Sequence, residues 1–135
     1  RHMIPQKSGV ILSISSLSSK VPVDYRVTYG AAKAGVNLLT IGAASELAPY
    51  GIRVNAVAPG IIDTVLSAKA IYEQTDYTMS MIPLHRAGKP EEVGDVLVCM
   101  ASDRFGYVSG TVISVDGGKN TVEDSDLPWI KPWEA

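Results

Sequence analysis

The sequence is short of cysteine, histidine and charge, and each shortage removes a class of protein. A single cysteine, Cys99, allows no disulfide framework within the chain, so a reducing, cytoplasmic setting is the expectation. Histidine occurs only at positions 2 and 85, far apart in sequence; a lone histidine makes no metal site, so His85 reads as a surface or hinge residue and no metal is expected. Charged residues make up 19% of the chain and the formal net charge is −2, which lacks the basic footprint of a nucleic-acid binder. Long uninterrupted apolar runs are missing too. The most apolar stretch, residues 31–47, contains Lys33, Asn37 and Glu46 and does not read as a membrane span. The first residues are polar and include Pro5, unlike a secretory signal. Arg1-His2-Met3 reads either as a remnant ahead of a start at Met3 or as the end of a helix entered midway.

What is there suits one compact α/β unit: 135 residues, 46% of them hydrophobic. Residues 10–14 form a short apolar run after Gly9 and predict a buried parallel strand. A serine-rich loop with Pro22 occupies residues 15–28. Residues 29–48 predict a long helix, favoured by alanine and leucine and stopped by Pro49 and Gly51. Gly30, Gly35 and Gly42 weaken that helix and imply close packing, and its low charge implies that most of its faces are buried. A second strand over residues 52–57 ends at Pro59-Gly60, and residues 63–81 follow as an irregular segment. Pro90, Glu91 and Glu92 make a favourable helix start. Val93, Val96, Leu97, Met100 and Ala101 give that helix one apolar face, with Cys99 read as a small core residue. Residues 110–115 predict a third strand, ended by Asp116-Gly117-Gly118. The alternation of strand and helix implies parallel strands joined by right-handed crossovers. The expected domain is residues 1–118, followed by a tail, 119–135, in which Trp129 and Trp133 are more easily read as docked than free.

Tyr29 and Lys33 are spaced Tyr-x-x-x-Lys, which on a helix places them on one face. A phenol ordinarily ionises near pH 10, and an ammonium beside it favours the phenolate, bringing it toward acid/base work at neutrality. The same ammonium can hold the ribose hydroxyls of a nucleotide. Such a pair is expected by chance about 0.3 times in a chain of this composition, so the spacing alone is weak. Ser16 sits just past the first strand, where ligands bind in open α/β sheets, and precedes Tyr29 by thirteen residues. Its hydroxyl is suited to hold a substrate carbonyl oxygen. Ser15, Ser16, Ser18 and Ser19 are equally ordinary turn residues, and the two readings stand level. Pro59-Gly60-Ile61-Ile62-Asp63-Thr64 follows the second strand on the same edge; on its own it is also a plain strand-ending turn. Asn55 is expected to satisfy backbone groups at a strand edge, and Asp116-Gly117-Gly118 is read as a turn.

In order along the chain, these segments resemble the short-chain dehydrogenase/reductase family. The resemblance is carried by Ile14-Ser15-Ser16, Tyr29-x-x-x-Lys33 and Ile52-Arg53-Val54-Asn55-Ala56-Val57-Ala58-Pro59-Gly60. Arg86-x-Gly88-x-Pro90-Glu91-Glu92-Val93 and the run from Ser109-Gly110 to Val115-Asp116-Gly117-Gly118 extend it over residues 9–118. Jointly the motifs are highly specific. The resemblance implies a fold that is the later half of a doubly wound parallel Rossmann sheet, three strands with helices on both faces. It implies NAD or NADP as cofactor, an alcohol or carbonyl compound as substrate, and a homo-oligomer, dimer or tetramer. It makes Tyr29 the general acid/base, Ser16 the group that polarises the substrate oxygen, and Lys33 the residue that holds the nicotinamide ribose and tunes Tyr29. Pro59, Gly60, the Ile62 backbone and Thr64 would contact the nicotinamide end, residues 63–81 would form a substrate lid, and Ser18 and Arg26 would line the substrate pocket.

The sequence departs from the family pattern in one large respect. The family's Thr-Gly-x-x-x-Gly-x-Gly turn, its Asn-Ala-Gly motif and its helix asparagine do not occur. The N-terminal nucleotide-binding half is therefore expected to be absent from this chain, to act as its partner in a complete enzyme, and to leave the isolated chain inactive. The competing reading is a non-enzymatic remnant or oligomerisation module without a working cofactor site. The choice between NAD and NADP and the identity of the substrate stay open.

Overall fold

The computed structural model describes residues 1–23 and 25–120. The expected tail, with Trp129 and Trp133, lies outside the described residues except for Lys119 and Asn120.

The chain starts with a single helical turn, α1 (Met3–Gln6), closed by Lys7 in a left-handed conformation. Strand β1 (Gly9–Ile14) follows, then a 3-10 turn at Leu17–Ser19, the long helix α2 (Val27–Leu47) and a second 3-10 turn at Ala48–Tyr50. Gly51, at φ 68°, turns the chain into β2 (Ile52–Pro59). Two short helices, α3 (Ala68–Glu73) and α4 (Thr75–Ser80), precede α5 (Pro90–Ala101) and β3 (Val112–Val115).

The three strands form one sheet in the order β1-β2-β3, all parallel. The register pairs Leu12 with Asn55 and Ile14 with Val57 on one side, and Val57 with Ile113 and Pro59 with Val115 on the other. Because strand side chains alternate, β2 serves two cores. Ile52 and Val54 pack with Ala44, Ala43 and Leu47 of α2. Val57 packs with Val93, Met100, Val96 and Leu97 of α5, together with Leu12 and Ile113 from the flanking strands. Helices therefore cover both faces of an open parallel sheet, as the strand–helix alternation implied.

Several expectations need correction. β1 is not buried: every one of its residues keeps solvent exposure, because among the described residues only β2 pairs with it. The irregular segment 63–81 contains two helical turns, α3 and α4, held together by the Thr78 hydroxyl, which donates to the Ala70 carbonyl at 2.7 Å. β3 begins at Val112, later than expected, because the Thr111 N–H is taken by the Asn55 side chain at 3.1 Å. Cys99 is exposed, not a core residue. It precedes the fully buried Met100, and one helical step of about 100° turns it off the packed face. Helix α2 buries Thr40 and Ala44, while Leu38, Leu39 and Ile41 stay exposed on its outer side.

Candidate active site

All three parallel strands end on the same edge, so the segments after Ile14, Pro59 and Val115 meet there. In open α/β sheets this carboxyl edge is where ligands bind. Helix α2 is tied to the edge by three bonds. The Lys33 ammonium donates to the carbonyl of Ile14, the last residue of β1, at 2.9 Å. The Ser15 hydroxyl, nearly inaccessible, donates to the Lys33 carbonyl at 3.2 Å and to Asn37 Oδ1 at 2.6 Å. Lys33 Nζ also lies 5.7 Å from the centroid of the Tyr29 ring. Tyr29 and Lys33 thus share one helix face, and that face is fastened to the end of β1.

Ser16 is extended, at φ −161° and ψ 155°, and caps the 3-10 turn: its Oγ accepts from the Ser18 N–H at 3.2 Å. An acceptor role for the oxygen leaves the hydroxyl proton available for donation outward. Ser18 is half-buried, and its carbonyl faces Gly30 in the first turns of α2. Arg26 is the exposed residue at the N-terminal boundary of α2, and its carbonyl accepts from the Gly30 N–H at 2.9 Å. Tyr29 is 41% exposed, so a ligand at the edge can reach the ring and its hydroxyl.

The segment after β2 is held by its neighbours. Pro59 closes the register against Val115, and the Gly60 N–H donates to the Val115 carbonyl at 3.0 Å. A β-carbon on Gly60 would lie 2.7 Å from Cβ of Asp116, so the close approach that requires glycine comes from the turn after β3. Ile62 forms an isolated parallel bridge with Gly88, and the Asp63 N–H donates to the Gly88 carbonyl at 2.8 Å. The Ile62 carbonyl accepts from the Ser67 hydroxyl. Thr64 is exposed, with Oγ1 at 3.0 Å from Ser67 Oγ. Further along, the Tyr72 hydroxyl donates to the Asp63 carboxylate, 3.0 Å from each oxygen, and that bond pushes the phenol pKa above its ordinary value.

Two sets of contacts are not evident from the sequence. Asn37 joins Ser15 to Ser19 across the loop that carries Ser16, donating from Nδ2 to Ser19 Oγ at 2.8 Å. Its signal was available: a polar residue four positions after Lys33 on an otherwise apolar helix. The second set joins Arg86 and Glu92. Arg86 donates to both carboxylate oxygens, at 2.6 and 2.8 Å, and Glu92 also accepts from the Lys89 N–H at 2.8 Å. This fork closes the loop that carries Gly88 and so supports the strand-end segment at Ile62. Asn55 does what was expected of it, donating to the Val108 carbonyl at 2.9 Å and accepting from the Thr111 N–H.

An open parallel α/β sheet, with hydroxyls and an ammonium gathered at its carboxyl edge, defines the class of protein. Comparison with known proteins narrows it. Residues 1–120 match the family model described as Enoyl-(Acyl carrier protein) reductase. The chain is 45% identical over 117 residues to the 3-oxoacyl-[acyl-carrier-protein] reductase FabG of Thermotoga maritima, covering 87% of this chain and 48% of that relative. Among solved structures, a gluconate 5-dehydrogenase from Burkholderia cenocepacia in complex with NADP and tartrate superposes with a TM-score of 0.86. It is 31% identical, and the match covers 90% of this chain and 49% of that one. A short-chain dehydrogenase/reductase, glucose/ribitol dehydrogenase, from Brucella melitensis gives a TM-score of 0.79 at 34% identity, over 84% of this chain and 46% of its own. The chain belongs to the short-chain dehydrogenase/reductase family. It spans about half the length of the curated relatives it matches.

Proposed function

We propose that this chain is the later, substrate-side half of an NAD(P)-dependent oxidoreductase that interconverts an alcohol and a carbonyl. The observation that carries the reading is the position of Lys33, whose ammonium lies between the Tyr29 ring, 5.7 Å away, and the Ile14 carbonyl, 2.9 Å away. An ammonium has three donors, so the bond to Ile14 leaves two for neighbouring hydroxyls. A ribose presents such hydroxyls, and the donor set therefore suits a nicotinamide nucleotide. Pro59, Gly60, the Ile62 backbone and Thr64 would border its nicotinamide end. The nucleotide, when bound, supplies or accepts the hydride.

The residues of this chain handle the oxygen and the proton. In the reducing direction Ser16 donates its hydroxyl proton as a hydrogen bond to the substrate carbonyl, drawing charge onto that oxygen. Tyr29 transfers its phenolic proton to the same oxygen as the alcohol forms, and in the oxidising direction it takes the proton back. Lys33 stabilises the phenolate left behind. Ser18 and Arg26 would border the substrate, and α3 and α4 would cover it as a lid. The adenosine and pyrophosphate end of the nucleotide would be held by the other half of the fold, and the complete protein would assemble as a homo-oligomer through the exposed side of α2.

The test is Tyr29→Phe in the complete protein. The ring stays and the proton donor goes. Turnover of a 3-oxoacyl thioester or a keto acid with NADH or NADPH should fall by about 100- to 10,000-fold. Nucleotide binding, read by fluorescence, should persist. Near-normal turnover in the variant overturns the assignment.

A further inference from the structure

We infer that Asn37 is a positioning residue for Ser16: it clamps the start of the loop after β1 on both sides of Ser16 and so sets where the Ser16 hydroxyl stands relative to the face of α2 that carries Tyr29. The inference rests on the reading of Ser16 and Tyr29 given above.

The clamp is a closed set of bonds. Asn37 Oδ1 accepts from the Ser15 hydroxyl at 2.6 Å, and Asn37 Nδ2 donates to Ser19 Oγ at 2.8 Å. The Ser19 hydroxyl in turn donates to the Ser16 carbonyl at 2.5 Å. One side chain, two helical turns beyond Tyr29, therefore grips the residues on either side of Ser16 and, through Ser19, the Ser16 peptide itself. The chemistry requires a carboxamide, because the site needs an acceptor toward Ser15 and a donor toward Ser19 at once. An aspartate offers only acceptors and a leucine neither. Ser15 and the loop keep other anchors. The Ser15 N–H donates to the Val57 carbonyl at 2.7 Å, and its hydroxyl reaches the Lys33 carbonyl at 3.2 Å. Loss of the clamp should therefore loosen the loop without unfolding the sheet.

A loop freed by a fraction of an ångström to an ångström moves the Ser16 hydroxyl off the substrate oxygen, and misplacement of that size costs up to about 100-fold in rate. Two measurements on the complete protein test this. Hydrogen exchange of the peptide spanning residues 15–21 should speed up in Asn37→Leu and Asn37→Asp, while exchange in the later turns of α2 stays as in the wild type. Turnover of acetoacetyl-CoA with NADPH should show kcat lowered by about 10- to 100-fold. The KM for NADPH should change less than about threefold, because nothing on the nucleotide side has moved. Ser19→Ala should reproduce part of the kcat loss and Ser19→Thr, which keeps the hydroxyl, should restore it. A role in stability alone would lower the melting temperature and leave kcat per folded molecule intact; that result overturns the inference, as does unchanged exchange at residues 15–21. Wild-type protein that turns over none of a 3-oxoacyl thioester, a keto acid or a ketosteroid refutes the oxidoreductase reading itself and the catalytic part of the inference with it. Exchange at the loop separates that failure from failure of the clamp.

Discussion

Gly30 of α2 and the carbonyl of Ser18 are in direct contact range: a β-carbon added to Gly30 would lie 2.8 Å from the Ser18 oxygen. The helix can approach the Ser16 loop this closely only because position 30 has no side chain. Gly30→Ala must push the loop or the helix away, and overpacking of this kind costs about 1–3 kcal/mol. Gly94→Ala in α5 is the control, since beyond its own helix backbone no atom of the described residues lies within 4 Å of its added carbon, and alanine gains up to about 1 kcal/mol in helix propensity. Thermal melts should move in opposite directions for the two variants. A Gly30→Ala protein as stable as the wild type would refute the contact.

Much of this architecture was legible from residue patterns. The apolar runs ending at Ile14, Pro59 and Val115 located the strands, and their spacing by helical segments dictated the parallel sheet. Tyr29 and Lys33 sharing a face follows from helical geometry, and their exposure at the carboxyl edge follows from the topology. What pattern could not supply were contacts between side chains distant in sequence. The Asn37 clamp depends on Ser15 and Ser19 lying 22 and 18 residues away. Helices α3 and α4 lack a sustained apolar period, so a hydroxyl bond from Thr78 to Ala70 defines them better than hydrophobicity does. Cys99 escapes the pattern because a short apolar helix carries hydrophobic-type residues on its exposed side as well.

The Arg86–Glu92 fork makes a pH prediction. The Arg86 guanidinium, followed by the Lys89 N–H, lowers the Glu92 carboxyl to about 2 from an ordinary value of 4.5. The carboxylate is therefore favoured in the folded state. Its stabilising contribution is fully present above the unfolded value near 4.5 and is lost as pH falls toward 2. The difference in melting temperature between the wild type and Glu92→Gln should hold steady from pH 7 to pH 5, then shrink as the pH is lowered further. A difference that stays constant down to pH 2.5 would show that the pair does not contribute through its charge.

The outer side of α2 predicts an interface. Leu38 is 73% exposed and Leu39 69%, beside exposed Ala31, Gly35 and Gly42, so small residues flank large apolar ones on one face. Such a face invites close helix packing, and burial of two leucines is worth about 3–6 kcal/mol. Light scattering of the complete protein should give a mass of two or four protomers. Leu39→Glu should reduce that mass while circular dichroism keeps its helical signal. A wild-type monomer, or a variant that assembles unchanged, would rule the interface out.

Asn55 is the hinge pin between β2 and the approach to β3. Its side chain is fully buried, with Nδ2 donating to the Val108 carbonyl and Oδ1 accepting from the Thr111 N–H, beside the backbone bonds from the Gly110 N–H to the Val54 carbonyl and from the Ala56 N–H to the Thr111 carbonyl. Asn55→Asp keeps the shape and the acceptor but turns the donor into a second oxygen facing the Val108 carbonyl. That oxygen and the Val108 carbonyl are two facing acceptors, and they repel. Asn55→Leu removes both bonds: the Val108 carbonyl keeps the Arg53 guanidinium, at 3.3 Å, while the Thr111 N–H loses its partner, at about 1–3 kcal/mol for a buried polar group. Both variants should lower the melting temperature, and Asn55→Asp should recover part of its loss at low pH, where the protonated acid can donate again. Hydrogen exchange should localise the damage to residues 106–113, leaving β1 and the start of α2 protected. Equal exchange across the whole sheet would mean that Asn55 supports global stability and not this junction, and the local account would fail.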